Sequence, residues 1–315
     1  LSRGLGDVYK RQLLDRLEKT LRDAGVVSGN IFGTNTANVS GGAINNVAGG
    51  ITMNLRGDTF RANSAGQFGG AIANFGAQWK LNAADVTFSG NGTGETGGAI
   101  YNNVAGAVFA LNGNSFLRNS ARVNGGAIFN SGGNLAVTGG SFTGNSAAIG
   151  GAIFNSTAAS QTYTGVAFNK NVASNSGGAI LNKTGNMTFY GGTFTSNSAD
   201  NGGAIALLAS SGSTYISGAS FVSNTAMNGG GAINQFARGG SLTISNTTFS
   251  GNTADRGGAI FNQGTMTLQG VTFSTADDGV YNAGILNLGG SNAFGGGLHL
   301  GITGSALVSA ANATV

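Results

Sequence analysis

The chain has 315 residues, 40 % hydrophobic and only 8 % charged, with 59 Gly and neither Pro nor Cys. Without Cys, a disulfide scaffold and a thiolate metal site are excluded, and no apolar run of about 18 residues is present to span a membrane as a helix. The formal charge is +4, but residues 1–25 hold six Lys/Arg and four Asp/Glu, so the other 290 contribute nine minus seven, or +2, which is no electrostatic footprint for nucleic acid.

Residues 1–12, LSRGLGDVYKRQ, differ in composition from all that follows. The string resembles translated read-through at the end of a gene fragment, and we expect it to lie outside the fold. The chain starts with Leu, so a piece of a longer protein is expected, with any export signal upstream. Residues 13–29 are expected to form a capping helix and linker. Leu14, Leu17 and Leu21 fall at helical spacing, and Gly25 suits the position after a helix C-terminus. Such a helix would cover the open edge of a stacked fold.

From Phe32 onward two signals repeat together. The tetrapeptide Gly-Gly-Ala-Ile begins at Gly41, Gly69, Gly97, Gly125, Gly150, Gly177, Gly202, Gly230 and Gly257, at spacings of 25–28 residues. Phe-x-x-Asn precedes each copy, as in Phe60/Asn63, Phe88/Asn91, Phe116/Asn119 and Phe142/Asn145. A fixed period of this size denotes a stacked repeat architecture. A third segment alternates apolar residues at period two, as in Met53/Leu55, Trp79/Leu81, Phe109/Leu111, Met187/Phe189, Leu242/Ile244 and Met266/Leu268. That is a strand signal, and Gly, Asn and Ser punctuate the segments as turns. Three short strands per turn predict an all-β, right-handed parallel β-helix over residues 30–288, with about ten coils of 25–28 residues. Residues 289–315 read as an irregular last coil or a tail, with a short alternation at Leu298, Leu300 and Ile302.

In-register coils place equivalent residues on top of one another. The Phe column is expected to stack inside, and Ile72, Ile100, Ile128 and Ile153 to fill another inner wall. The double Gly is assigned to a corner where no Cβ fits. Asn63, Asn91, Asn119 and Asn145 would form one amide ladder at the corners. Asn74, Asn102, Asn130 and Asn155 would form a second, interrupted at Leu207 and Gln235.

The pairing of Gly-Gly-Ala-Ile with Phe-x-x-Asn resembles the repeat of the chlamydial polymorphic outer-membrane proteins. The likeness covers about residues 30–282, through nine interleaved copies. It implies a right-handed β-helix passenger exported as an autotransporter and displayed on the cell surface, often as an adhesin. Its partners would be glycans or proteins of host cells or other surfaces.

Many β-helices are polysaccharide lyases or glycoside hydrolases, which is the alternative reading. Such sites need clustered carboxylates, or carboxylates with Arg or Lys. After residue 25 the only acids are Asp58, Asp85, Glu95, Asp200, Asp255, Asp277 and Asp278, and each reads as a solvated corner residue. Asp200 and Asp255 share a column two coils apart. His299 is the single His, with no acidic cluster beside it in sequence. We therefore expect no catalytic residue, no metal site and no cofactor.

Trp79, Tyr101, Tyr163, Tyr190, Tyr215 and Tyr281 could stack sugars if exposed. Trp79, Tyr163 and Tyr215 align with core columns, so packing is expected for them. Tyr101, Phe129, Phe154, Phe261 and Tyr281 follow the Ile and would point outward. They form a candidate binding stripe, or a face covered by another segment.

Overall fold

The computed structural model describes residues 27–208, 212–236, 239–275, 279–294, 301–302 and 307–314. Residues 1–26, which hold the proposed read-through and the helix at 13–24, lie outside these, as do Asp277, Asp278 and His299. Strand already begins at Val27–Ser28, inside the stretch expected to be linker.

The chain is an all-β parallel solenoid. Every strand pair among the described residues is parallel, and each strand pairs with its equivalent one coil away. Among the described residues the first eight coils hold four strands, not three, and the coils after Gly229 hold the expected three. One coil comprises Val108–Asn112, Ser115–Leu117, Ser120–Ala121 and Ile128–Asn130. Stacked, these give sheets A, B, C and D with 12, 11, 8 and 11 strands. The additional wall is sheet C, whose strand follows the ladder Asn directly. Its strands are two residues long in early coils and lengthen to five in Val172–Ser176 and Thr225–Gly229. Two residues cannot show an alternation, so periodicity did not reveal them.

Each wall presents a different side chain to the interior. Sheet B supplies one Phe per coil, and eleven rings from Phe32 to Phe294 stack face to face. Phe116 and Phe142 lie 4.5 Å apart and 1° from parallel, and Phe273 continues the column to Phe294 at 5.1 Å. Each buried ring contributes about 1.5–3 kcal/mol from area alone. Sheet D supplies the Ile column, in register from Ile44 to Ile260. Sheet C supplies small residues such as Ala65, Ala121, Ala173 and Ala226. Sheet A supplies two inward residues per strand. Register pairs Leu81 with Met53 and Ala83 with Leu55, so Trp79 enters the core one step before the strand pair expected from the sequence.

The double Gly is forced by close approach. At Gly125 φ is +62°, and a Cβ would lie 2.2 Å from the Ile128 carbonyl oxygen. At Gly126 a Cβ would meet the Gly151 carbonyl oxygen of the next coil at 2.1 Å. Real Cβ atoms do not sit so near backbone oxygen, so neither position accepts a side chain. The corner before the ladder Asn is also left-handed, but the Asn is not the residue that carries it. The preceding residue does, with φ +51° at Arg118 and +53° at Lys170.

Candidate interaction surfaces

The repeat motifs are spent on the interior. Phe60, Phe88, Phe116 and Phe142 are fully buried, as are Asn63, Asn91, Asn119 and Asn145. The first amide ladder runs from Asn35 to Asn224 onto Asn252 with one pattern. In each step both the backbone N–H and Nδ2 donate to the next Oδ1, as from Asn91 to Asn119 at 3.0 and 2.9 Å. From Asn63 onward, Nδ2 also donates back to the Phe carbonyl of the preceding coil, as from Asn91 to Phe60 at 3.0 Å.

The second ladder is shorter. Asn46, Asn74, Asn102 and Asn130 are linked by Nδ2 to Oδ1 bonds of 2.7, 2.7 and 2.9 Å. It then breaks, because Asn130 Nδ2 turns to the Gly133 carbonyl and Asn155 Nδ2 turns to the Tyr163 hydroxyl at 3.0 Å. The polar Gln161 occupies an inward sheet A position at this level, with Nε2 on the Gly133 and Ala159 carbonyls. It resumes between Asn262 and Asn282 at 2.6 Å.

The aromatic stripe is a correction. Its residues do leave the interior, but Tyr101, Phe154 and Phe261 are buried, and Phe129 and Tyr281 are half-buried. Tyr101, Phe129 and Phe154 stack at 5.1 and 5.3 Å, and Phe261 on Tyr281 at 5.2 Å. A neighbouring column covers them: Phe68 lies 4.7 Å from Tyr101, Ile149 packs on the Phe154–Leu181–Ala206 cluster, and the Arg256 guanidinium sits 5.9 Å over Tyr281. That column changes residue type in every coil, so no repeat betrayed it. Burial pushes the Tyr101 phenol up, partly countered by its bond to Asn103 and reinforced by Glu95.

The acids need one correction. Asp58 is not solvated but fully buried. Its Oδ1 accepts the Asn30 N–H at 2.7 Å and Asn30 Nδ2 at 3.0 Å, and its Oδ2 accepts the Arg56 N–H at 2.9 Å. Asn114 has a similar role two coils further along, accepting the Val86 N–H at 2.8 Å. Asp255 makes an exposed contact with its neighbour Arg256 at 3.8 Å. Among the described residues no three of His, Asp and Glu gather where they could hold a metal ion.

The accessible ground is the outer face of sheet A. A shallow groove of about 360 Å³ lies on its early coils, lined by Asn54, Arg56, Asn82, Ala84, Ala110 and Asn112 among others. Further along, Tyr215 is not core, contrary to its expected packing. Thr214 and Ile216 point inward, leaving Tyr215 on the surface at 37 % exposure beside Tyr190 at 52 %. Trp79 and Tyr163 are buried as their columns suggest.

The profile of the family described as Chlamydia polymorphic membrane protein (Chlamydia_PMP) repeat matches residues 85–103, 165–183 and 246–263. Each match contains one Phe-x-x-Asn and the Gly-Gly-Ala-Ile that follows it. The class is thus a parallel β-solenoid in which the Chlamydia polymorphic membrane protein repeat is found three times. No curated protein and no solved structure matches it.

Proposed function

We propose that the chain is a non-catalytic surface passenger of the adhesin type. The observation that carries this reading is the use of the repeated motif inside the rod. Phe and Asn side chains of the repeat are buried, so the motif builds shape and leaves the outer columns free to vary. A rod of stacked coils offers the same outer positions many times, which suits repeated weak contacts and the avidity they give. The repeat type supports a location at the outer membrane or cell surface, and partners among surface glycans or proteins. Among the described residues, carboxylates that share a column, as Asp200 and Asp255 do, lie two or more coils apart, and the others lie in different columns, which supports a rod without hydrolytic chemistry.

The test is attachment of beads coated with the purified chain to cells and to polymer-coated surfaces, with a parallel assay for polymer cleavage. The reading expects attachment without cleavage. Cleavage of any polysaccharide, or beads that attach no better than uncoated ones, would overturn it.

A further inference from the structure

We infer that Tyr190 and Tyr215 form a docking platform for a neutral, extended β-linked glucan on the outer face of sheet A. This rests on the surface-binding reading above and names what the rod would hold. The two residues lie on adjacent coils, where register pairs Thr188 with Tyr215 and Tyr190 with Ser217, so the rings are diagonal neighbours. Their centroids are 6.2 Å apart at 63°, an edge contact that fixes both rings. The Tyr215 hydroxyl reaches Ser245 Oγ one strand further on, at 3.2 Å. The ring is therefore laid across the sheet and not extended into solvent, and its hydroxyl is drawn below the usual phenol range by Ser245 and Ser217.

The surroundings select the ligand class. The seven sheet A strands between Asn134 and Ser291 carry no charged residue. Thr188, Ser217 and Thr243, half-buried, line the platform with small hydroxyls that both donate and accept, while the buried Ser245 holds the Tyr215 hydroxyl. Exposed rings without charge exclude electrostatic recognition of an anionic polymer and suit sugar rings whose equatorial hydroxyls leave apolar C–H faces. Tyr supplies a large rigid contact with little rotamer entropy to lose. A glucan running along the solenoid would meet the two rings in succession and hydroxyls on either side.

The experiment is native gel electrophoresis of the full chain through gels containing hydroxyethylcellulose or dextran. The expected result is retardation by hydroxyethylcellulose and not by dextran, insensitive to added salt because no ion pair is involved. Tyr190→Ala combined with Tyr215→Ala should weaken retardation by about tenfold or more, as loss of anchoring aromatics does. Tyr215→Phe, which keeps the ring, should retain most of it. Both rings are on the surface, so the double variant should keep the circular dichroism of the parent. If it does not, Tyr190→Ala alone carries the test. No retardation of the parent chain, equal retardation by dextran, steep loss with salt, or unchanged retardation of the folded double variant would each overturn the platform. Beads that attach to cells while the gel shows no retardation would sink the platform and leave the adhesive reading standing. Retardation without cell attachment would do the reverse.

Discussion

The side-chain amide of Asn119 donates to Asn145 Oδ1 at 3.0 Å, and the backbone N–H of Asn119 reaches the same oxygen at 2.9 Å. Asn145 repeats both bonds onto Asn171 and gives its second amide proton to the Phe116 carbonyl at 2.9 Å. From Asn63 to Asn224 every oxygen in the ladder accepts two protons and every amide donates two, so this buried polar column is fully satisfied. Asn is the residue that fits, because it offers both roles on one planar group and carries no charge.

Asn145→Ala should therefore destabilise the rod by about 2–6 kcal/mol, since two buried donors of Asn119 lose their acceptor at about 1–3 kcal/mol each. Asn145→Asp should be worse at neutral than at acidic pH. An ionised carboxylate would face the Phe116 carbonyl and Asn171 Oδ1, whereas the neutral acid can donate. Denaturant titrations at both pH values check this, and an unchanged midpoint for Asn145→Ala would contradict it.

The corner residue Lys170 has φ +53°, while Gly144 holds the same column position one coil earlier at +63°. A left-handed side-chain-bearing residue costs about 1–2 kcal/mol, and the extra freedom of an unfolded Gly returns about 0.5–1 of that. Lys170→Gly should thus raise stability slightly, by up to about 1 kcal/mol. A lower denaturation midpoint would show that the Lys170 side chain contributes more than its backbone strain removes.

The tyrosines predict an alkaline limit. Burial pushes the Tyr163 phenol well up, only partly countered by its bond to Asn155, and Tyr101 shifts the same way. Both are neutral in the fold, so their contribution is complete below the ordinary phenol pKa of about 10 and is lost as pH rises beyond it. Tyr215 shifts downward. In an absorbance titration Tyr215 should ionise first, and Tyr163 only as the fold opens. Tyr163→Phe should soften the alkaline loss of stability. Ionisation of Tyr163 together with Tyr215 while the circular dichroism stays native would refute this.

The solenoid was legible because its strongest columns never change residue type. Phe, the double Gly and Asn each answer a demand that one side chain meets: stacking, absence of a Cβ, and a bifunctional amide. The features that stayed hidden lack that uniformity. Sheet C begins with two-residue strands such as Ser120–Ala121. The cover over the aromatic column is Phe68, Ile149 or Arg256 by turns. The alternation in Ser-Thr-Tyr-Ile-Ser fits either Tyr215 or Ile216 inward until register with Met187 and Leu242 places Thr214 inside. Asp58 was hidden for a further reason, since a carboxylate whose partners are two backbone N–H groups and an amide one coil away leaves no local sign. The platform at Tyr190 and Tyr215 therefore had to come from the structure.

Residues one repeat apart lie side by side along the whole rod, and everything else depends on that. Thr87 and Ser115 are direct partners on adjacent strands of sheet B. Neighbouring strands are about 4.8 Å apart, within the roughly 4.4–6.8 Å that a disulfide bridges between Cα atoms. The chain has no Cys of its own, so an engineered pair reports without interference. Thr87→Cys with Ser115→Cys should cross-link on mild oxidation of the folded chain and keep its circular dichroism. Thr59→Cys with Ser115→Cys, two coils and about 10 Å apart, should not. Cross-linking of the distant pair as readily as the near one, or none of the near pair, would contradict the in-register solenoid.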